Sequence, residues 1–272
     1  RLIMQGDGNL VAYGPAGAGW HSNTFGAGNR AVLQGDGNLV VYSAAGRALW
    51  HAGTHGSGPS TLRVQDDANL VLYAHGNRPT WNRRLAYVTS TRALSTAEQN
   101  AMTGVSWRPG CPVPLSQLRT VSVTYFDFAG QPREGSLVVR ADRAADTADV
   151  FGRLYATRYP IQQIRPIEAF GGSDDASMAA NNTSAFNCRP VVGGSGYSQH
   201  AYGVAIDINP VQNPYVKGSQ VLPPSGKAYL NRGDSHPAVL RADSVAVREF
   251  RARGWTWGGN WTSLKDYQHF EK

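Results

Sequence analysis

The sequence of 272 residues is poor in cysteine and has no long apolar run, and both shortages limit what the protein can be. Its two cysteines, Cys111 and Cys188, are too few for a metal cage built mainly of thiolates, although they allow one disulfide. Two buried free thiols are the alternative, and we expect the disulfide because we expect the chain to be exported. No stretch approaches the roughly 18 consecutive apolar residues that indicate a membrane-spanning helix, so no membrane span is predicted.

Basic residues are scattered along the chain rather than clustered. Lys and Arg outnumber Asp and Glu by seven to four before Leu85 and by 19 to 15 from there on, which divides the formal net charge of +7 into +3 and +4. Without a basic run or a basic helix, this excess favours weak attraction to anionic polymers over reading of a nucleic acid groove. We therefore expect no nucleic acid partner.

A decapeptide occurs three times in the first third of the chain. The copies are "MQGDGNLVAY" at 4–13, "LQGDGNLVVY" at 33–42 and "VQDDANLVLY" at 64–73, and each is followed by a tryptophan, namely Trp20, Trp50 and Trp81. Asp-Gly pairs beside β-branched residues predict tight turns between short strands. Because one such unit cannot bury an apolar face alone, we expect the three to share a core that contains the tryptophans.

Alternate positions within each copy carry Gln, Asp, Asn, Val and Tyr. Period-two geometry tends to place these five on one side of the chain, with Met4, Leu10 and Ala12 of the first copy on the other. We expect the polar side to point outward, where amide, carboxylate and phenol groups suit vicinal hydroxyls and valine suits the C–H face of a sugar. The alternative, that Asn and Asp serve only turns and Tyr only packing, explains neither the glutamine nor the threefold recurrence.

The pattern Gln-x-Asp-x-Asn-x-Val-x-Tyr, three times over residues 1–84, resembles the bulb-type mannose-binding lectins. The resemblance implies an all-β, three-sided prism that binds mannose-type or other cell-surface glycans without a metal, with one sugar site per copy. The first implied site is Gln5, Asp7, Asn9, Val11 and Tyr13. The second is Gln34, Asp36, Asn38, Val40 and Tyr42, and the third is Gln65, Asp67, Asn69, Val71 and Tyr73.

After residue 84 the pattern changes to that of an α+β domain. We expect a linker at 85–94 and a second domain at 95–272 that contains a small antiparallel sheet. Ser95 and Glu98 form the ends of a capping box that opens a short helix. The segments 120–130 and 135–141 predict paired strands, and the apolar spacing of 145–160 predicts an amphipathic helix ended by Pro160. A later helix is predicted within 242–255.

The apolar run "SQHAYGVAIDIN" contains His200 and, seven residues later, Asp207. In one strand the two would face opposite ways, so they converge only if the chain turns before Val204, and Gly203 makes that turn easy. A lone histidine here is most often a structural residue, but the C-terminal "DYQHF" adds His269 and Asp266. Two imidazoles and a carboxylate suit catalytic zinc, and a further carboxylate could take a proton from water.

The motif Ser-x-His-x-x-Gly-x-Ala-x-Asp at 198–207, followed by Asp-x-x-His at 266–269, resembles the zinc peptidases of bacterial cell walls. These include D-alanyl-D-alanine carboxypeptidases and L-alanyl-D-glutamate endopeptidases, and the resemblance extends over about residues 86–272. It implies His200, Asp207 and His269 as zinc ligands, Asp266 as general base and then acid, and Arg189 as the group that polarises the scissile carbonyl. Many members carry Glu where Asp266 stands, and His236 is a competing histidine in a turn-like segment.

The two resemblances together predict a secreted, cell-wall-associated bacterial hydrolase. It would use zinc to cleave an amide bond in the peptide stems of peptidoglycan, as a carboxypeptidase or an endopeptidase, while the lectin domain holds it on glycans. The alternative is a carbohydrate-binding protein whose metal domain is structural or inactive. Because the sequence starts inside a patterned segment, we also expect an upstream piece such as a secretion signal.

Overall fold

The computed structural model describes residues 1–14, 17–65, 69–84, 87–191, 194 and 196–272. The chain divides into two compact units, Arg1–Tyr87 and Val88–Lys272. Both are rich in small antiparallel sheets, and the α-helices that the structure describes lie in the second unit. In the described residues, no helix is both long and apolar enough to cross a membrane.

Each repeat contributes the middle strand of a three-stranded antiparallel sheet in the first unit. The described strands are β1 (Leu2–Met4), β2 (Leu10–Gly14), β3 (Gly17–His21), β4 (Arg30–Leu33), β5 (Leu39–Tyr42), β6 (Ala48–His51), β7 (Thr61–Val64), β8 (Asn69–Ala74) and β9 (Arg78–Arg84). They pair in the orders β1-β2-β3, β4-β5-β6 and β7-β8-β9. In the turn before β2, the Asp7 carboxylate accepts the backbone N–H of Asn9 at 3.0 Å, and Asp36 does the same for Asn38 at 3.0 Å.

The three tryptophans meet in one core, as the repeat pattern predicts. Trp20 lies edge-on to Trp50 and Trp81 with ring centroids 5.0 and 5.5 Å away, and Trp50 and Trp81 are 5.9 Å apart. Leu10, Leu39 and other buried residues from all three middle strands join this cluster. Edge-to-face packing of such large rings contributes stability beyond the area buried, so each copy depends on the other two.

The second unit mixes short sheets with helices. In chain order its described elements are β10 (Thr89–Ala93), α1 (Thr96–Met102), β11 (Leu118–Phe126), β12 (Pro132–Arg140), α2 (Ala144–Ala156), β13 (Gln163–Ile164), α3 (Asp174–Ala179), β14 (Asn182–Thr183), β15 (Ala205–Asp207), β16 (Tyr215–Lys217), β17 (Gln220–Leu222), α4 (Val245–Ala252), β18 (Thr256–Trp257), β19 (Lys265–Asp266) and β20 (His269–Glu271). The sheet orders are β10-β11-β12, β13-β14, β15-β20-β18 and β17-β16-β19.

The predicted helices are present, but helix α2 ends earlier than the sequence predicts. Helix α1 begins with the expected capping box, in which Ser95 Oγ accepts the Glu98 N–H at 3.3 Å and the Glu98 carboxylate accepts the Ser95 N–H at 2.7 Å. Helix α2 packs against β11 and ends at Ala156, four residues before Pro160. It ends early because Arg158 adopts a left-handed φ of 55°, which no helix continues.

The linker expected at 85–94 is wrong for most of that stretch. Residues 89–93 form strand β10, which pairs antiparallel with β11 from Thr89↔Val123 to Ala93↔Arg119. Residues 85 and 86 lie outside the described part of the chain. The error has a simple cause, because every residue of β10 is exposed and so lacks the apolar alternation that identifies a strand in sequence.

Candidate active site and sugar sites

His200 is positioned by a tight turn of helical type that begins with a side-chain cap and ends at a glycine. The turn covers Gln199–Tyr202, and the Ser198 hydroxyl accepts the His200 N–H at 3.3 Å. Gly203 ends the turn with a left-handed φ of 67°, and a Cβ atom there would lie 2.7 Å from the backbone nitrogen of Arg140. Glycine is therefore required twice over. The chain turns before β15 begins, as the odd spacing of His200 and Asp207 demands.

His269 reaches Asp207 through strand pairing. Strand β20 lies antiparallel to β15 with Asp207 directly opposite His269, so their side chains share one face of the sheet. Asp266 lies on a different strand, β19, which pairs with β16 in another sheet, and the turn Tyr267–Gln268 separates the two strands. That change of sheet removes the alternation that would hold Asp266 and His269 on opposite faces.

Three buried side chains converge on one point. His200 Nε2 lies 3.1 Å from Asp207 Oδ2 and 3.2 Å from His269 Nδ1, and His269 Nδ1 lies 2.9 Å from Asp207 Oδ1. The ligand atoms of the three residues all lie within 4.8 Å of one another. Two imidazole nitrogens and one carboxylate match the donor set that catalytic zinc sites use, so these residues fit zinc.

The outward nitrogen of each histidine has its own partner. His200 Nδ1 lies 2.5 Å from the carbonyl oxygen of Ala185, and His269 Nε2 lies 3.0 Å from the Glu271 carboxylate. A carbonyl and a carboxylate can only accept, so each outward nitrogen carries a proton and donates it. In the neutral rings that bind a metal, the inward nitrogens, His200 Nε2 and His269 Nδ1, then hold the lone pairs.

Charges within the cluster hold its pKa values apart. Burial alone would raise the pKa of Asp207, but His200 and His269 keep it well below its ordinary value. Burial alone would lower the pKa of His269, but hydrogen bonds with Asp207 and Glu271 outweigh it and raise the pKa to about 10. The hydrogen bond from His269 in turn holds the pKa of Glu271 below its usual range.

Asp266 is a half-buried carboxylate with spare acceptor capacity. Its Oδ1 atom is buried and has no hydrogen-bond partner among the described residues. Burial, with a further contribution from the Asp207 charge, raises the pKa of Asp266 to about 7. A carboxylate with a pKa near neutrality can both take up and return a proton, which a general base that later acts as acid requires.

Arg189 is held beside the histidine cluster by a disulfide and an ion pair. Cys111 and Cys188 are joined, as expected, and the bond closes a loop of 77 residues, which chain-entropy models value at about 4.5 kcal/mol. The Arg189 guanidinium lies 2.8 Å from the Asp174 carboxylate. The two residues lie 15 positions apart, and no sequence pattern indicated that they form an ion pair.

A cavity of about 180 Å³ collects these groups. Its lining includes His200, Asp207, His269, Asp266 and Arg189, together with an apolar wall that contains Trp261 and Leu264. His236 is not among the lining residues, and its ring packs against Phe128 and Tyr229. The competing histidine is therefore a packing residue.

In the first unit, the Gln and Tyr of each copy are linked to each other. The amide Nε2 donates to the phenol oxygen at 2.7, 2.8 and 3.0 Å in the pairs Gln5–Tyr13, Gln34–Tyr42 and Gln65–Tyr73. All six side chains are half-buried, and Asp7 and Asp36 are exposed, whereas Asp67 lies outside the described residues. Each copy therefore presents at least an amide and a phenol at one surface position.

Valine is not exposed, contrary to expectation, although the tryptophan cluster contains Leu10 and Ala12 and not Val11, in agreement with the predicted alternation. Val11, Val40 and Val71 are only 4, 3 and 2% exposed. In the first copy, Val11 pairs with Ile3, between the Gln5 end of the sheet and Tyr13. The valines are therefore buried within each copy rather than exposed on its surface.

The same expectation is wrong for asparagine in the first two copies. Asn9 and Asn38 are buried, because their side-chain oxygens accept the backbone N–H of Thr24 at 3.3 Å and of Thr54 at 3.2 Å. In the third copy Asn69 is half-buried. In these two copies asparagine therefore links the repeat to a segment about 15 residues further along the chain, while the Gln–Tyr pairs stay accessible.

Comparison with known families now bears on the cavity. Residues 192–272 match the model of the D-alanyl-D-alanine carboxypeptidase family. The matched segment of this peptidase family covers less than a third of the chain, and it contains His200, Asp207, Asp266 and His269. Arg189 lies just outside it. No curated protein matches the chain.

The N-terminal region is similar to mannose-binding lectins of bulb plants. A lectin from Gastrodia elata is 39% identical over 30% of this chain and 76% of its own, with a TM-score of 0.28. An Allium sativum lectin is 41% identical over 29% of this chain and 77% of its own, with a TM-score of 0.26. The snowdrop (Galanthus nivalis) agglutinin, solved with methyl-α-D-mannoside, is 35% identical over 28 and 78%, with a TM-score of 0.25.

Proposed function

We propose that the protein is a zinc peptidase that cleaves an amide bond in the peptide stems of peptidoglycan. The observation that carries this proposal is the shared cavity, where a His–Asp–His ligand set lies beside a carboxylate with an unused buried oxygen and a pKa near 7. The match of residues 192–272 to a peptidase family supports it.

The metal ligands, Asp266 and Arg189 have separate roles in this reaction. Zinc held by His200, Asp207 and His269 would supply Lewis-acid chemistry to a peptide carbonyl. Asp266 removes the proton from the attacking water and delivers it to the leaving amine. Arg189 donates to the carbonyl oxygen as negative charge develops there, and Asp174 orients its guanidinium for that contact.

A structural role for the metal is the competing proposal for this unit. Structural zinc sites are closed by four protein ligands, whereas the described residues offer a group of three. A three-ligand set leaves a position for a reactant, and the cavity gives that reactant room. The ligand number therefore favours catalysis over a structural metal.

We further propose that the first unit is a three-sided β-prism lectin that holds the enzyme on glycans. Its accessible Gln–Tyr pairs offer donors and acceptors to sugar hydroxyls at three places, and weak sites of this kind act together through avidity. The disulfide and the peptidoglycan substrate fit a protein that is secreted and works at the cell wall.

Two substitutions separate the base from the metal ligands. Asp266→Asn keeps the size of the side chain but removes the proton acceptor, so we expect zinc content and folding to survive while turnover of stem peptides falls about 100-fold or more. His269→Ala should lose the metal and the activity together. Elemental analysis and a cleavage assay on the same preparations measure both. If Asp266→Asn loses zinc as completely as His269→Ala does, Asp266 is a ligand and our assignment of its role is wrong.

A further inference from the structure

An arginine lies over the tyrosine ring in every repeat. The distances from guanidinium carbon to ring centroid are 5.1, 5.5 and 5.3 Å for the pairs Arg1–Tyr13, Arg30–Tyr42 and Arg63–Tyr73. The three arginines are exposed, and the tyrosines beneath them are half-buried. A positive charge therefore stands on the solvent side of each Gln–Tyr pair.

The three arginines reach this place from two different sequence positions. Arg30 stands four residues before its glutamine and lies directly opposite Tyr42, and Arg1 has the same spacing. Arg63 stands two residues before its glutamine and lies opposite Val71, so it reaches Tyr73 diagonally. If the arginines were present only because one repeat was duplicated, all three would stand at the same distance in sequence from the glutamine. What the copies share is the location of the charge, which indicates that the charge matters at the site.

These guanidinium groups have no carboxylate partner among the residues that the structure describes. Arginines of the second unit commonly do, as in Arg92 with Glu98 at 2.6 Å and Arg133 with Asp127 at 2.7 Å. The contrast leaves a fork of N–H donors for a ligand at each proposed sugar site; in Arg30, Nη1 also donates to the Ser43 carbonyl oxygen at 3.4 Å. Such a fork matches the geometry of a phosphate or a carboxylate.

We propose that the sugar sites bind saccharides that carry a negative charge, with the guanidinium contacting a phosphate or carboxylate on the glycan. This proposal rests on the lectin function proposed above and narrows its ligand class. The Gln–Tyr pair contacts the sugar hydroxyls, and the arginine beside it binds the anion. Asp7 and Asp36 each use one carboxylate oxygen to accept a backbone N–H in their turns.

A purely structural role for the arginines makes a different prediction. An exposed arginine over a tyrosine stabilises a sheet by packing and by attraction to the ring, whatever the ligand. Its removal would then lower stability but would leave the preference between charged and neutral glycans unchanged. The ratio of two affinities separates the two roles.

The test compares neutral mannan with phosphomannan as probes for the full chain. The variant carries Arg30→Gln and Arg63→Gln, and the control carries Arg47→Gln and Arg78→Gln, two exposed arginines that do not lie over a repeat tyrosine. At low salt we expect the unmodified chain and the control to bind phosphomannan about three- to fivefold more tightly than mannan, the size of one exposed charge contact. The variant keeps only Arg1 over a repeat tyrosine, so it should lose most of this preference, and about 1 M salt should abolish the preference in every protein.

Each result has one reading. Equal affinity of the unmodified chain for the two polymers, or a preference that is undiminished in the Arg30→Gln, Arg63→Gln variant, overturns the proposal while leaving neutral sugar binding intact. Failure to bind either polymer contradicts the lectin function itself. Thermal unfolding of all three proteins checks that the variants are folded.

Discussion

Glu271 shows how one residue near the cavity can set the state of another. It stands two residues after His269 in β20, and alternation places the two side chains on the same face of the strand. Its carboxylate accepts the Nε2 proton of His269, which keeps Nδ1 as the nitrogen that faces Asp207. The spacing of two residues between His269 and Glu271 in "HFE" was the sequence signal for this contact.

We predict that Glu271→Ala lowers the affinity for zinc by about tenfold or more, the effect typical of losing the partner of a metal-binding histidine. Glu271→Gln should lose less, because an amide oxygen still accepts the Nε2 proton. Competition with a chromophoric chelator measures the affinity without relying on activity. Glu249→Ala, a glutamate outside the cavity lining, serves as the control. An unchanged affinity in Glu271→Ala would mean that Glu271 does not position His269.

Asp207 and Asp266 are the same residue type with opposite pKa shifts, and their surroundings explain the difference. Asp207 lies against two imidazoles that stabilise its negative charge, whereas Asp266 is shielded from water next to that charge. Two carboxylates whose pKa values are pushed apart can divide the roles of ligand and base. Sequence alone cannot assign these two roles to Asp207 and Asp266, because the burial of each carboxylate and the charges around it decide its pKa.

At the scale of strands and helices, some of the fold could be predicted and some could not. The repeats, the capping box and the turn at Gly203 were predictable because each depends on residues close together in sequence. Strand β10 was missed because none of its residues is buried, and the burial of Val11 was missed because alternation predicts the face on which a residue lies but not whether that face is covered. The change of sheet between Asp266 and His269 depends on distant strands and leaves no local pattern.

The start of helix α1 gives a prediction that depends on pH. The Arg92 guanidinium, with smaller contributions from Ser95 and Thr120, lowers the pKa of Glu98 to about 2. Because the folded-state pKa lies below the ordinary value near 4.5, this carboxylate stabilises the fold above about pH 4.5, and the effect is lost as the pH falls toward 2. Glu98→Gln should therefore cost about 0.5–1 kcal/mol at pH 7, the size of one helix cap, and almost nothing at pH 2.

Thermal or denaturant unfolding of the unmodified chain and of Glu98→Gln from pH 7 to pH 2 measures the difference in their free energies of unfolding. The exposed Asp243→Asn serves as a control and should open no comparable gap at pH 7. A difference between Glu98→Gln and the unmodified chain that stays constant down to pH 2 would show that the charge of Glu98 contributes nothing to helix α1.

At the scale of the whole molecule, the proposed function combines one cavity for amide cleavage with three sugar sites on the same chain. Each sugar site alone is expected to be weak, because it offers few polar groups on an open surface. Three on one chain, facing a polymer with many copies of the same sugar, can hold it far more firmly than one. The units are built on separate cores, so substitutions in one should not alter the chemistry of the other.

We therefore predict that replacing Tyr13, Tyr42 and Tyr73 together by Phe lowers retention on mannan beads about tenfold or more. The variant keeps the rings but removes the hydroxyls that the glutamines bind. Cleavage of soluble stem peptides should be unchanged. Tyr229→Phe in the second unit should bind mannan as the unmodified chain does. Full retention by the triple variant would exclude the phenols as sugar contacts.

Mass spectrometry of purified muropeptides, taken before and after incubation with the zinc-loaded chain, tests the central claim most directly. We expect stem peptides to be shortened by hydrolysis of one amide bond, with a mass gain of one water across the two products. Prior treatment with a zinc chelator should stop the reaction and added zinc should restore it. Muropeptides left intact by folded protein that contains one zinc per chain would contradict the claim that this cavity cleaves peptidoglycan stems.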